Sequence, residues 1–266
     1  VSYTTISKVS MGFTYQTKGL CYYVAVARVT NGVTTGVTTT QAPGATQYTD
    51  PSTNVFTADS SYAYQLTPYN GVYRSNPDNA IVTDVVSPFS IVNVGTITVS
   101  TTQIAFPYVN TTSYYSMDVT RQCNGVVIDT TNYERPTAYT DPSDNFTADS
   151  SYVYVLTSYN AVGIQGTAMT TTPVSPNATV VIGIMAVTTN SVSFPIINPS
   201  SAYYLSVARY TKGVLGSYSS LSPGASGFYD SGPFTADTSY AYVIRPYNAL
   251  DILGTAVTTV TVSPPA

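Results

Sequence analysis

The chain has 266 residues, only 8% of them charged, with a net charge of −4 and no histidine. Nine Lys and Arg form no basic stripe, which excludes nucleic acid as a partner, and no apolar run approaches the ~20 residues of a spanning helix, which excludes membrane insertion by a helix. With no His and two Cys, neither a structural zinc site nor any other cofactor is expected.

The chain opens at Val1 without Met and without a charged-then-apolar leader, as a mature secreted product or a segment of a longer protein would. A strand is predicted over Tyr22–Arg28. It opens with a Tyr pair, of which one ring is expected in the core and the other outside, because successive strand residues face opposite ways. Asn31-Gly32 then supplies the positive φ angles of a two-residue hairpin turn. From Phe56 to Asn70 runs FTADSSYAYQLTPYN, in which Tyr62, Tyr64 and Leu66 share one face against Ala63, Gln65 and Thr67. That period of two marks a strand half-buried on a core. Val86-Ser87-Pro88 closes the unit.

The same order then returns twice. Strands opening with a Tyr pair are predicted at Tyr114–Thr120 and Tyr203–Arg209, followed by turns at Asn124-Gly125 and Lys212-Gly213. The long phrase recurs as FTADSSYVYVLTSYN (Phe146–Asn160) and FTADTSYAYVIRPYN (Phe234–Asn248). Val-Ser-Pro closes the copies at Pro88, Pro176 and Pro264, 88 residues apart. A fixed period means copies of one module joined without linkers, here with boundaries at 1–88, 89–176 and 177–266. Nothing sustains a helical period over three turns. The predicted fold class is therefore all-β, three tandem antiparallel β-sandwiches of about 88 residues each.

Phe56-x-Ala58-x-Ser60-x-Tyr62 resembles the fibronectin type III pattern Leu-x-Pro-x-Thr-x-Tyr, whose Tyr forms the tyrosine corner. The continuation Tyr62-x-Tyr64-x-Leu66-x-Pro68-Tyr69-Asn70 is similar to that family's Tyr-x-Tyr-x-Val-x-Ala-Val-Asn strand, and the match recurs at Tyr152 and Tyr240. The resemblance implies fibronectin III-like or immunoglobulin-like modules with structural tyrosine corners at Tyr62, Tyr152 and Tyr240. The chain departs from the family in having no Trp. Tyr15, Phe106 and Phe194, each two residues after Phe13, Ile104 or Val192, are expected in the place of the family's core Trp.

Residues that recur in all three copies are expected to serve the module's fold, so recognition is sought where the copies differ. Asp50, Asp141 and Asp230, and Asp59, Asp149 and Asp237, recur; they read either as calcium ligands at module junctions or as turn caps. Each acid stands nearly alone, and a tight calcium site collects several carboxylates, which favours turn capping. No carboxylate pair, nucleophile–base set or phosphate-cradling loop is present, so no enzyme is expected. The first copy carries two extra residues in the loop 71–79, which makes Tyr73, Arg74, Asn76 and Asp78 a candidate contact loop; a merely longer loop is the alternative. Asn110, Asn145 and Asn177 begin N-x-S/T sequons and are possible N-glycosylation sites. Cys21 and Cys123 fall in different modules at opposite poles, beyond the ~7 Å reach of a disulfide, and are expected as two buried thiols or, alternatively, as an intermolecular bridge.

The segment Val180–Val187, VVIGIMAV, is apolar on both faces of a predicted strand. An antiparallel sandwich normally leaves one face wet, which makes Val180, Val181, Ile182, Ile184 and Met185 a candidate assembly contact; cover by a neighbouring module or loop is the alternative. Counted to Tyr15, the first copy starts three residues late, while the last carries Pro265 and Ala266 beyond its closing Pro. Ends so offset are expected of a chain cut out of a periodic array or made to continue one head to tail, with a chance trim at the termini as the alternative; a head-to-tail contact that does not close gives a filament. The function expected is a structural subunit of an extracellular or cell- or virion-surface filament or stalk, with copies of itself as partner. The alternative is an adhesin or carbohydrate-binding protein contacting glycans or a host surface; a third reading is an accessory region of a secreted enzyme.

Overall fold

A computed structural model describes residues 1–17, 21–50, 56–70 and 80–265. Each third of the chain forms two antiparallel sheets, the larger of four strands throughout and the smaller of three strands in the first and last thirds and four in the middle one. In the middle third, Asn93–Val94 and Thr98–Val99 both pair with Ile104–Val109, which pairs on its other edge with Ala138–Thr140. The opposing sheet runs in the order Val126–Glu134, Ser116–Cys123, Tyr152–Tyr159, Met169–Thr170. The first third repeats this order with Val33–Gln41, Tyr23–Thr30, Tyr62–Tyr69 and Ile81–Val82, and the last with Val214–Leu221, Tyr204–Thr211, Tyr240–Tyr247 and Val257–Thr258. Among the described residues there is no α-helix, and two short 3-10 turns are the only helical pieces.

The residue choices account for these elements. Tyr152–Tyr159 alternates buried and half-buried along its whole length, as period two requires of a strand on a core. Asn31-Gly32, Asn124-Gly125 and Lys212-Gly213 all take positive φ at both positions, 50° and 79°, 50° and 79°, 52° and 78°. Two consecutive left-handed residues define the turn whose twist matches the flanking strands.

Three rings from both sheets meet in each core. In the middle module Phe106, Tyr139 and Tyr154 lie 5.2, 5.4 and 5.3 Å apart, centroid to centroid. The counterparts are Phe13, Tyr48 and Tyr64 at 5.3, 5.1 and 5.6 Å, and Phe194, Phe228 and Tyr242 at 5.1, 5.9 and 5.6 Å. Such pairs add roughly 0.5–1.5 kcal/mol each beyond the area they bury. The strand register corrects the expected equivalence. Phe13, not Tyr15, pairs with Tyr48 as Phe106 pairs with Tyr139 and Phe194 with Phe228. Tyr15 is buried two residues on, at the position of Tyr108 and Ile196.

Register also corrects the Tyr pairs. Ser116 is opposite Tyr159, whereas Tyr23 is opposite Tyr69 and Tyr204 opposite Tyr247, so the middle pair is displaced by one residue. Tyr114 is fully buried, and its hydroxyl donates to the Pro136 carbonyl at 2.8 Å. At the same position the outer modules hold Cys21 and Ala202, both packed on their cores. There neither ring of the pair enters the core: Tyr22 and Tyr203 are exposed, while Tyr23 and Tyr204 stack on Tyr69 and Tyr247 at 4.5 and 4.6 Å.

The segment Val180–Val187 is not one strand. Only Ala186–Val187 is a strand, with an isolated bridge from Ile182 to Ile196. The break falls at Gly183, where a Cβ would lie 2.6 Å from the Pro195 ring; the corresponding contact at Gly95 would be 2.8 Å from Pro107. No side chain fits against that proline, and the glycine lets the backbone pass close enough for its amide to donate to the Pro195 carbonyl at 2.8 Å.

Candidate functional site

The recurring aspartates are inter-sheet ties. Asp141 follows the strand Ala138–Thr140 of the smaller sheet, and its side chain reaches Arg121 and Tyr154 of the larger one. Its Oδ1 accepts from Arg121 Nη1 at 2.9 Å and from the Ser143 amide at 2.8 Å, and its Oδ2 accepts from the Tyr154 hydroxyl at 2.7 Å. Arg121 also donates to the Ser143 hydroxyl and to Asp129 at 3.2 Å. Asp230 repeats the set with Arg209 at 3.3 Å, Tyr242 at 2.9 Å and the Gly232 amide at 2.9 Å. Asp50 takes Arg28 at 3.5 Å and the Tyr64 hydroxyl at 2.9 Å. Burial first, and the adjacent carboxylate second, push the phenols of Tyr64, Tyr154 and Tyr242 well above the ordinary tyrosine range. Held neutral, each phenol stays a donor to its carboxylate. A carboxylate saturated by a guanidinium, a phenol and backbone amides ties two sheets together and is poorly placed to abstract a proton.

Tyr62, Tyr152 and Tyr240 each close a five-residue loop. Their hydroxyls accept from the amides of Thr57, Thr147 and Thr235 at 3.0, 3.1 and 2.9 Å. The rings meet Phe56, Phe146 and Phe234 edge-on at 5.0, 5.1 and 4.9 Å. The phrase shared by the three copies is thus a corner and its brace.

The residues singled out where the copies differ are scattered. Val180 is buried in its own core, Ile182 and Met185 are half-buried against it, and Val181 and Ile184 face outward, Ile184 with 92% of its surface exposed. Ile197, exposed beside them, extends that apolar patch; its amide donates to the Val181 carbonyl at 2.9 Å. Asn110, Asn145 and Asn177 are all exposed. Tyr73, Arg74, Asn76 and Asp78 lie outside the described residues. Cys21 and Cys123 are free and half-buried rather than buried, each against the core of its own module. Among the described residues no group of three or more His, Cys, Asp or Glu could hold a metal ion.

Sequence reasoning missed the densest polar site, which lies between modules. Asn160, the last residue of the shared phrase, is 1% exposed and uses its whole amide. Its Nδ2 donates to the Ser87 and Pro88 carbonyls at 3.1 and 3.0 Å, and its Oδ1 accepts from the Val162 and Ile164 amides at 3.1 and 2.9 Å. One side chain thus folds its own loop and holds the end of the preceding module. Asn248 does the same, with Ser175 and Pro176 at 3.4 and 3.1 Å and with Leu250 and Ile252 both at 3.0 Å. Beside each Asn, the amide of the next residue donates to an alanine of the preceding module: Ala161 to Ala58 and Ala249 to Ala148, both at 2.8 Å. Serine hydroxyls in the Val-Ser-Pro segments, Ser87 and Ser175, donate to the same alanine carbonyls at 3.3 Å. The first junction gains Lys8 on Ser113 at 3.0 Å and Arg135 on the Asp59 carbonyl at 3.4 Å. The one sequence signal for this site was that every copy of the phrase ends in Asn.

No protein-family model matches the chain, and no curated protein matches its sequence. Solved structures do. A segment of two fibronectin type III domains from chicken tenascin aligns with 65% of this chain and 98% of its own length, at 10% identity and a TM-score of 0.45. The FN1–FN3 domains of chicken CNTN1 align with 99% of this chain and 97% of their own, at 9% identity and a TM-score of 0.28. The chain is a tandem array of fibronectin type III-like sandwiches, and its own strand order, register and tyrosine corners carry that assignment. Among the described residues no helix is long and apolar enough to cross a membrane.

Proposed function

We propose that the chain is a non-enzymatic structural subunit of an extracellular or surface filament or stalk, with copies of itself as its partners. The observation that carries this reading is the pair of junctions. Two successive modules are joined with no linker, through hydrogen bonds made by the same residue types in the same order. Hydrogen bonds repeated between adjoining modules restrain their relative rotation, and a stack of units so restrained transmits force along its axis. Long outer strands support side-by-side contact as well. Val214–Leu221 carries no charge and is exposed along nearly its whole length, and a strand edge of this kind is a template for pairing with another chain. The outward Val181, Ile184 and Ile197 add an apolar patch elsewhere on the module's surface. Negative-stain microscopy of the native material tests the reading: filaments support it, and isolated rods at every concentration contradict it.

A second reading has its own observation. Tyr22, Tyr203, Tyr218 and Tyr229 expose their rings, and such rings stack on sugars. An adhesin or glycan-binding surface protein would use them, and binding to a glycan array by a monodisperse monomer is the result that favours it.

A further inference from the structure

We infer that the stacked pairs Tyr204–Tyr247 and Tyr23–Tyr69 are oxidative cross-linking sites, each joined into dityrosine by a peroxidase-type one-electron oxidant. The inference goes beyond the filament reading and does not depend on it.

The aromatic rings of the chain meet in two ways. Core rings are tilted or edge-on, as Phe106 is to Tyr154 at 64° and Phe56 to Tyr62 at 89°. Among the described residues two contacts are parallel. Tyr23 and Tyr69 lie 4.5 Å apart at 12°, and Tyr204 and Tyr247 lie 4.6 Å apart at 4°. Both are directly opposed cross-strand pairs at one end of the ladder between the two central strands of the larger sheet. All four residues are half-buried, within reach of a soluble oxidant, whereas the core phenols Tyr64, Tyr154 and Tyr242 are sealed.

Parallel stacking is the arrangement that coupling needs. A phenol that loses one electron and its proton becomes a phenoxyl radical, with the unpaired electron shared by the ring carbons ortho to oxygen. The orbital that carries it stands perpendicular to the ring, so a face-to-face neighbour meets it and an edge-on neighbour does not. Two such radicals form one C–C bond between ortho carbons. Each of those carbons then releases its hydrogen as a proton, each oxygen takes one up, and both rings are aromatic phenols again. In sum, two phenols and one hydrogen peroxide become one dityrosine and two waters. Held in contact, the pair couples within the chain before either radical meets another molecule.

Tyr204 has a proton acceptor in place, since its hydroxyl donates to Asp251 Oδ1 at 2.5 Å. That carboxylate takes the phenol proton as the electron leaves. The middle module is a built-in control. Its phenol at the same strand end, Tyr159, donates to Asp118 at 2.9 Å, but Ser116 stands opposite and offers no ring to couple. A bond at Tyr247 would also fix the strand end next to Asn248, which holds the preceding module through the Pro176 carbonyl.

The full chain, dilute enough to be monomeric, is treated with a haem peroxidase and hydrogen peroxide, digested, and mapped by mass spectrometry. Expected are peptides joined through Tyr204 and Tyr247 and through Tyr23 and Tyr69, each two hydrogens lighter than the sum of its parts. None is expected through Tyr159. Tyr247→Phe and Tyr69→Phe keep a ring in the stack and remove its phenol. Each should roughly halve dityrosine fluorescence, and the double variant should abolish it, with melting before oxidation unchanged. Oxidised wild type should melt several degrees higher, because a cross-link restricts the unfolded chain. Asp251→Asn should slow coupling at Tyr204 several-fold and leave the Tyr23–Tyr69 pair as it was; equal rates would overturn the role given to Asp251. No dityrosine in wild type overturns the inference. So does dityrosine that the double variant leaves undiminished, formed between molecules by exposed rings such as Tyr22, Tyr203, Tyr218 and Tyr229.

Discussion

The Asp141 tie and the Asn160 junction are both made of repeated residues, yet one is present in every module and the other only between modules. Asp50, Asp141 and Asp230 each meet an arginine and a core tyrosine. The asparagine contact exists twice, because a junction needs two neighbours. Repetition at the first site therefore reports what one sandwich needs to fold, and repetition at the second reports how sandwiches are joined. A residue kept for folding and a residue kept for stacking look the same along the chain. They separate only when burial is compared between copies: Tyr64, Tyr154 and Tyr242 are fully buried alike, whereas Asn160 and Asn248 are covered and Asn70 is not.

Substitutions sharpen that contrast. The largest effect is expected from Asp141→Ala, which leaves the Arg121 guanidinium, only 13% exposed, without its buried partner. Breaking such a pair costs about 3–5 kcal/mol. Chemical denaturation should show the loss in the middle module, and a change under 1 kcal/mol would mean that the tie is ornamental. Next is Asn160→Ala, which strands the Ser87 and Pro88 carbonyls and two loop amides. The expected cost is about 1–3 kcal/mol. The distinguishing readout is cooperativity: calorimetry should resolve the first module's melting from the rest, as Asp141→Ala alone would not.

Alkaline pH probes the tie in all three modules at once. The phenols of Tyr64, Tyr154 and Tyr242 have folded pKa values above the unfolded value near 10. Above that pH the folded state therefore holds protons that the unfolded state has lost. Stability is complete below about pH 10 and falls as pH rises beyond it, by up to about 1.4 kcal/mol per pH unit for each such tyrosine. Tyr154→Phe should make the decline shallower, which alkaline titration followed by circular dichroism measures; an unchanged slope would remove Tyr154 from the account. The smallest effect on stability is expected from Ile184→Asp, within about 0.5 kcal/mol at so exposed a site. That variant is informative about side-by-side bundling, which light scattering follows; undiminished bundling would exclude the patch as a lateral contact.

The period, the hairpin turns and the tyrosine corners could be read from the sequence because each is local: a spacing, an Asn-Gly step, a five-residue loop. Errors arose where equivalence between copies had to be chosen. Aligning the visible Tyr pairs set Tyr114 against Tyr22, whereas the strands set it against Cys21. Counting eight residues from the core rings Phe13, Phe106 and Phe194 reaches Cys21, Tyr114 and Ala202, and would have found the register. The tie was half visible. The aspartates recur, but the arginines that meet them stand about 20 positions earlier on another strand, a relation no periodicity reveals. The junction was invisible as chemistry, since Asn160 meets Ser87 and Pro88 more than 70 residues away.

The axial repeat of an assembled filament, measured by electron microscopy, tests the stacking account most directly. End-to-end contact between copies, made as the internal junctions are made, gives one repeat per chain. With each sandwich about as long as a ten-residue strand, or roughly 33 Å, that repeat is roughly 100 Å. Filaments of that repeat, one module wide, are the predicted result. Chains that overlap by whole modules, bundle without axial order, or never lengthen beyond a single rod would contradict it.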